Sequence, residues 1–373
     1  MPENTIESSQ HETRPQKIVV KNRGEATVKI LEYFKQLQKE NYSSLDFHNE
    51  KHPEMVRHAA LEFAKIITRI DPRLVTKNTL EEIVGSAAAH DSVLNFAHGE
   101  MITRFRGFFD TDIEEKYRLA MAEAGINKGN ELLSAEELEE ELARYVDPSG
   151  EPVFHEAAKK ETREAIAATF PKFDFAAKIT DDDFEKYFGN LPEPTELKKY
   201  QTGIKVYQPH LGPDSSITTL AIATGDLHGK LATEDYEDYR KSGNAEFREL
   251  NEGLRAALSE GAVNIPQEIK AKKAIKMLEW VRAQITFAMW QKILFWKSID
   301  ENKLIAGSEK SAKIKEALKN RYDHCFDRNI LEAQKRYEKL LEKYGEPAET
   351  NERLQNITKV DFEELLRELG FEE

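Results

Sequence analysis

Apolar positions along this chain recur at three- and four-residue spacing almost throughout, the period of a helix with one buried face. Val28, Ile30, Leu31 and Phe34 predict a first helix; Val56, Ala59, Phe63, Ile66 and Ile70 a second; Leu80, Ile83, Val84 and Ala87 a third. Asn78, with Glu81 three residues on, reads as the cap of the third, and Pro53 fits the first turn of the second. Between about 107 and 212 the pattern predicts an insertion. It holds an acidic helix (NELLSAEELEEELARYV), a turn at Asp147-Pro148-Ser149-Gly150 and another helix (FHEAAKKETREAIAATF). A looser stretch with Pro192, Pro194, Gly203 and Pro209 follows. Asp214 stands where it would cap SSITTLAIATGDLHGKL, which is apolar on most faces, and a long amphipathic set runs from about 245 to 298. No alternating run argues for a strand, so the expected fold class is all-α. Residues 1–23 are polar and read as a disordered tail, 24–300 as the main domain, and 301–373 as a charged helical C-terminal extension.

Composition narrows the function classes. A chain of 373 residues can bury a sizeable core. Its formal charge of −14 argues against general nucleic-acid or membrane-surface binding, both of which need positive potential. The most apolar segment, Ala274 to Trp296, carries Lys276, Glu279, Arg282 and Lys292, charges too costly for a bilayer, and reads as a buried helix. Trp280, Trp290 and Trp296, with Phe287, Met289 and Phe295, have the spacing of a core or subunit contact. The single cysteine, Cys325, and a first segment without an apolar stretch lead to the expectation of a cytoplasmic protein.

Candidate chemistry gathers in SLDFHNEKHPEMVRHAALEF, residues 44–63, which holds three of the ten histidines. His52 lies in line with Val56 and Phe63, so its imidazole faces the core. GSAAAHDSVL then brings His90 and Asp91 after a run of small residues that leaves room for a bound species. Asp226 lies in TTLAIATGDLHGK, a helix so apolar that a bare carboxylate there needs a positive neighbour. Two imidazoles and two carboxylates suit a divalent ion, Mn, Mg, Fe or Zn, with positions left for water. Arg104 and Arg106, in MITRFRGFF just beyond the pair, are candidates to hold an anionic substrate group. His228 reads as structural and His58 as a surface or capping histidine, while His98 and His155 read as ordinary polar residues with a place at a second metal or the substrate left open.

In this order His52, His90-Asp91 and Asp226 resemble the H…HD…D signature of the HD-domain metal-dependent phosphohydrolases. FHNEKH is similar to the Y-H-N-x-x-H motif of cyclic-nucleotide phosphodiesterases and related bacterial HD proteins, with Phe47 in place of the tyrosine. NELLSAEEL (Asn130, Glu131, Ser134) and REAIAATFPKF (Ile166, Thr169) are further echoes, and the resemblance spans roughly residues 42–232. It implies an HD-domain helical bundle with one or two divalent ions per chain. His52, His90, Asp91 and Asp226 would be ligands, and Asp91 would orient the attacking water or bridge to a second ion. His48 would be the general acid, and Glu131 would approach the metal-bound water or substrate. The implied substrate is a nucleotide, a cyclic nucleotide or a similar small phosphate ester.

Two other readings compete. A di-iron oxygenase of the same fold would need further histidines from among His98, His155 and His210. A non-catalytic scaffold would use the site for a structural ion and the C-terminal helices for binding, and those helices are also the candidate contact for a homo-oligomer.

Overall fold

The computed structural model describes residues 16–43, 47–49, 51–93, 130–229, 231–250, 266–348 and 350–371. The fold is all-α with two small two-stranded sheets. Order begins before Gly24. Strand β1 (Ile18–Val19) pairs in parallel with β2 (Tyr145–Val146), and Asn22 caps α1 (Arg23–Tyr42) by accepting from Glu25 N. Ala26, Ile30 and Phe34 form the buried face of α1, while Val28 points outward.

Helices α2 (His52–Ile70) and α3 (Lys77–Ala89) follow as expected, with Pro53 in the first turn of α2. The cap of α3 is Thr76 rather than Asn78. Thr76 and Thr79 form a reciprocal capping box, which settles the boundary two residues earlier. Beyond lie α4 (Asn130–Leu142) and, after β2 and the turn at Asp147–Gly150, α5 (Glu156–Ala167). Gly150 takes φ +89°, closing that turn over the Asp147 side chain, which accepts from Ser149 N and Glu151 N.

The looser stretch is structured, and it supplies the strands that the apolar pattern hid. Strand β3 (Lys172–Lys178) pairs antiparallel with β4 (Thr202–Tyr207), with Lys172 opposite Tyr207 and Lys178 opposite Thr202. Helix α6 (Asp181–Phe188) and the short α7 (Pro194–Leu197) lie between them. The ladder breaks register between Asp174 and Ala177, which blurs the period-2 signal. Ser216, not Asp214, caps α8 (Ile217–Leu227), while Asp214 pairs with Lys303 at the surface.

The long apolar segment is α10 (Gln267–Glu301), which follows α9 (Tyr236–Leu250). Trp280, Trp290, Trp296, Phe295 and Met289 are all buried, in agreement with a core role. No helix among the described residues is long and apolar enough to cross a membrane.

Past the short α11 (Lys303–Ala306), α12 (Ser311–Tyr344) lies along α10 and places Ile314, Leu318, Phe326 and Ile330 in the same main core as α2 and α8. Arg321 grips Glu62 on α2 through two contacts of 2.7 and 3.0 Å. Leu365, Leu366 and Leu369 of α14 (Phe362–Leu369), which follows α13 (Glu352–Val360), join that core. The charged C-terminal helices therefore complete the body rather than extend from it. A second, smaller core gathers α1, α4 and β2 with the last alanines of α3, so α3 ends where the two cores meet.

Candidate metal centre

The site starts from a turn. Asn49 accepts through its side chain from Lys51 N at 3.0 Å and through its carbonyl from His52 N at 3.1 Å. The chain folds back there and enters α2 with His52 as its first residue. His90 follows the last turn of α3, its N–H donating to Ser86 O, and Gln38 Nε2 ties the preceding Ala88 carbonyl to α1. Asp226 arrives near the end of α8. That helix approaches α2 so closely that a Cβ on Gly225 would lie 2.8 Å from the Val56 carbonyl oxygen. Glycine here is a requirement of approach, not the mere loosening of the helix its propensity implies.

These side chains converge. His52 Nε2 lies 3.3 Å from both Asp91 Oδ2 and Asp226 Oδ1; His90 Nε2 lies 3.1 Å from Asp91 Oδ2 and 3.7 Å from Asp226 Oδ1. One ligand atom each from His52, His90 and Asp226 falls within 4.8 Å of the others. His52 and His90 are 2 % and 1 % exposed, while Asp91 and Asp226 keep an open side.

The hydrogen bonds around them fit a cation. His90 Nδ1 donates to the Ala87 carbonyl at 2.9 Å, which leaves its Nε2 lone pair for the centre. That Nε2 and Asp91 Oδ2 are buried without a hydrogen-bond partner among the described residues, although they are near neighbours. They form a close ion pair, 3.1 Å apart, without the geometry of a hydrogen bond. Buried polar atoms left this way are costly unless something fills the space between them. Mixed N/O donors with an open side match a divalent ion that keeps water in its shell.

Electrostatics agree. Burial pulls the His90 imidazole down, yet the facing Asp91 and Asp226 carboxylates outweigh it and raise its pKa to about 9. Burial would raise Asp91, but His90 and His52 hold it well below the usual carboxylate range, and Asp226 is held down in the same way. The two carboxylates hold positive charge at this spot.

His48 stands beside the cluster, its ring centroid 5.5 Å from that of His52, with Phe47 packed on both rings. Its Nδ1 meets Glu249 Oε1 at 2.5 Å, while Glu249 Oε2 accepts from the backbone N–H groups of Phe47 and His48. Burial pushes the Glu249 carboxyl up, and His48 with these bonds brings it below its ordinary value. Glu249 went unread in the sequence. It sits in the last turn of a polar helix, 23 residues past Asp226, where a carboxylate looks solvated.

Other expected residues fall variously. Glu131 is buried in the first turn of α4. One turn on, Ser134 Oγ accepts from Val93 N, two residues past Asp91. Thr169 donates to the Ile166 carbonyl, so the second echo holds a chain bend. Arg104, Arg106 and His98 lie outside the described residues. His58 and His155 are exposed, and His210, also exposed, packs on Phe170. His228 packs in the core against Phe295, where burial lowers its pKa to about 3.

Comparison with protein-family models, with curated proteins and with solved structures finds no match.

Proposed function

We propose that the protein is a metal-dependent hydrolase of small phosphate esters, acting on a nucleotide or cyclic nucleotide in the manner of the HD-domain enzymes its motif order resembles. The observation that carries this reading is the meeting of His52, His90, Asp91 and Asp226 around an unsatisfied buried point, with a separately held histidine alongside. His52, His90 and Asp226 would hold the cation, and Asp91, whose Oδ2 lies 3.3 Å from His52 Nε2 and 3.1 Å from His90 Nε2, would complete the set or orient water. When bound, a divalent ion there supplies Lewis acidity, lowering the pKa of water and drawing charge from a phosphoryl oxygen.

The chain's own residues do the rest. His48 uses Nδ1 to meet Glu249, which leaves Nε2 to deliver a proton to the leaving oxygen. Glu249 fixes that tautomer and stabilises the imidazolium. Phe47 keeps bulk water from the gap between the two rings.

Elemental analysis of protein purified without chelator, followed by assay with Mn or Mg against nucleotides and cyclic nucleotides, tests the reading. The expected result is stoichiometric metal together with phosphate release or ring opening, both lost in Asp226→Asn. Bound metal without turnover across the panel would refute hydrolysis.

A further inference from the structure

A hydrogen-bonded clip follows the last helix. Gly370 takes φ +71° after α14, the left-handed turn with which glycine closes a helix, and Gly370 N and Phe371 N donate to the Arg367 and Leu366 carbonyls. The turn offers the Leu369 and Gly370 carbonyls and the Phe371 ring to α9. Asn244 on α9, fully buried, donates through Nδ2 to Leu369 O at 2.8 Å and to Gly370 O at 3.0 Å. Arg336 on α12 donates to the same Leu369 carbonyl. Phe371, also buried, sets its ring 5.1 Å from that of Phe247 on α9, and Phe247 packs in turn on Trp280 of α10.

These contacts reach the candidate site through α9. Its first half is bonded to α10, where Tyr239 Oη donates to the Gln284 carbonyl and Trp280 Nε1 to the Gly243 carbonyl. Its next turn, residues 244–247, is the part that the clip holds. Glu249 follows Phe247 by two residues, about 200° round the helix, so this end of α9 has the clip on one side and the His48 contact on the other. Helix ends fray, and a carboxylate on a last turn keeps a fixed distance to its partner only if that turn is pinned. The backbone bonds from Phe47 and His48 to Glu249 Oε2 depend on the same link.

We propose that Asn244 and Phe371 are positioning residues: the clip at 369–371 fixes the last turn of α9 and thereby the bond between Glu249 and His48. This rests on the hydrolase reading for its kinetic consequence and not for its geometry.

Two measurements on the full chain test it. One is steady-state kinetics on the phosphate ester turned over by the parent chain. The other is NMR of ¹⁵N-histidine protein in its Mg²⁺ form, where the His48 Nδ1 proton gives a downfield signal identified by its loss in Glu249→Gln. Phe371→Ala is expected to broaden or abolish that signal and to lower kcat roughly tenfold, with KM and bound metal unchanged, as a small misplacement of a reacting group does. Phe371→Leu, which refills the apolar space, restores both. Asn244→Ser gives the same pattern as Phe371→Ala and serves if that variant does not fold. Ile314→Ala truncates the core near the opposite end of α12 from Arg336; it lowers the unfolding temperature and leaves the signal intact. An unchanged signal in Phe371→Ala or Asn244→Ser, or its equal loss in Ile314→Ala, overturns the proposal. A parent chain without turnover, whose signal still responds as stated, refutes hydrolysis alone and supports the clip.

Discussion

His48 and His52 stand four residues apart and border the same small volume, yet their surroundings suit them to different work. His52 aims Nε2 at two carboxylates, while His48 is held through Nδ1 by Glu249. His48→Asn should therefore leave metal content intact and lower kcat by about 10²–10⁴, the range of a lost general acid. Glu249→Gln should lower kcat less and shift the alkaline limb of the pH–rate profile to lower pH, with KM little changed. Steady-state kinetics beside metal analysis separate the two effects. Equal loss of metal and turnover in His48→Asn would show it to be a ligand instead. The histidines and Asp226 were legible in the sequence because a buried stripe, a run of small residues and an apolar helix each make a charged group conspicuous. Glu249 was not legible, because nothing along a polar helix marks which carboxylate turns inward.

At the scale of elements, the site depends on how closely α8 and α2 approach. Gly225 faces the Val56 carbonyl and the Ala60 amide, and a Cβ on Gly229 would lie 3.2 Å from that of Ala59, so two small-residue surfaces are in contact. Gly225→Ala should push α8 away at a cost of about 1–3 kcal/mol, typical of overpacking. Because Asp226 is the next residue, metal affinity should fall along with the unfolding temperature. Calorimetry and a metal titration of the same variant check both. Unchanged affinity would mean that the helices have slack. Helix positions were readable from apolar spacing; the contact that sets their separation was not, since a glycine's role depends on what faces it.

Over the whole molecule, the last fifth of the chain is part of the core. A chain ending at Glu301 would expose Phe295, Trp296 and the face of α2 that Glu62 and Arg321 secure, and it should be recovered aggregated or without cooperative unfolding. Recovery of a soluble, cooperatively melting fragment would contradict this.

One further link joins that region to α2. Asp71 accepts from Arg73 and from Ser308 Oγ at 2.6 Å, and these bonds hold its carboxyl well below the ordinary 3.8. A depressed carboxylate contributes stability that is present above its unfolded pKa and disappears as pH falls through the folded one. Asp71→Asn should thus be less stable than the parent near neutrality, with the difference shrinking once pH drops below about 4. Melting curves across acid pH measure it.

The all-α class and most helices were legible from periodicity. The strand pair was hidden by its broken register, and the shared core was hidden because Lys and Glu at every turn of α12 mask a regular buried face.

The span of chain between His48 and Glu249 has a temporal meaning. With 201 residues separating the imidazole from the carboxylate that sets it, and with Asp226 also late, a growing polypeptide leaving the ribosome has every early component of the cluster long before its closing members. Until those emerge, the cluster around His52 and the contact that holds His48 are both incomplete in the nascent chain.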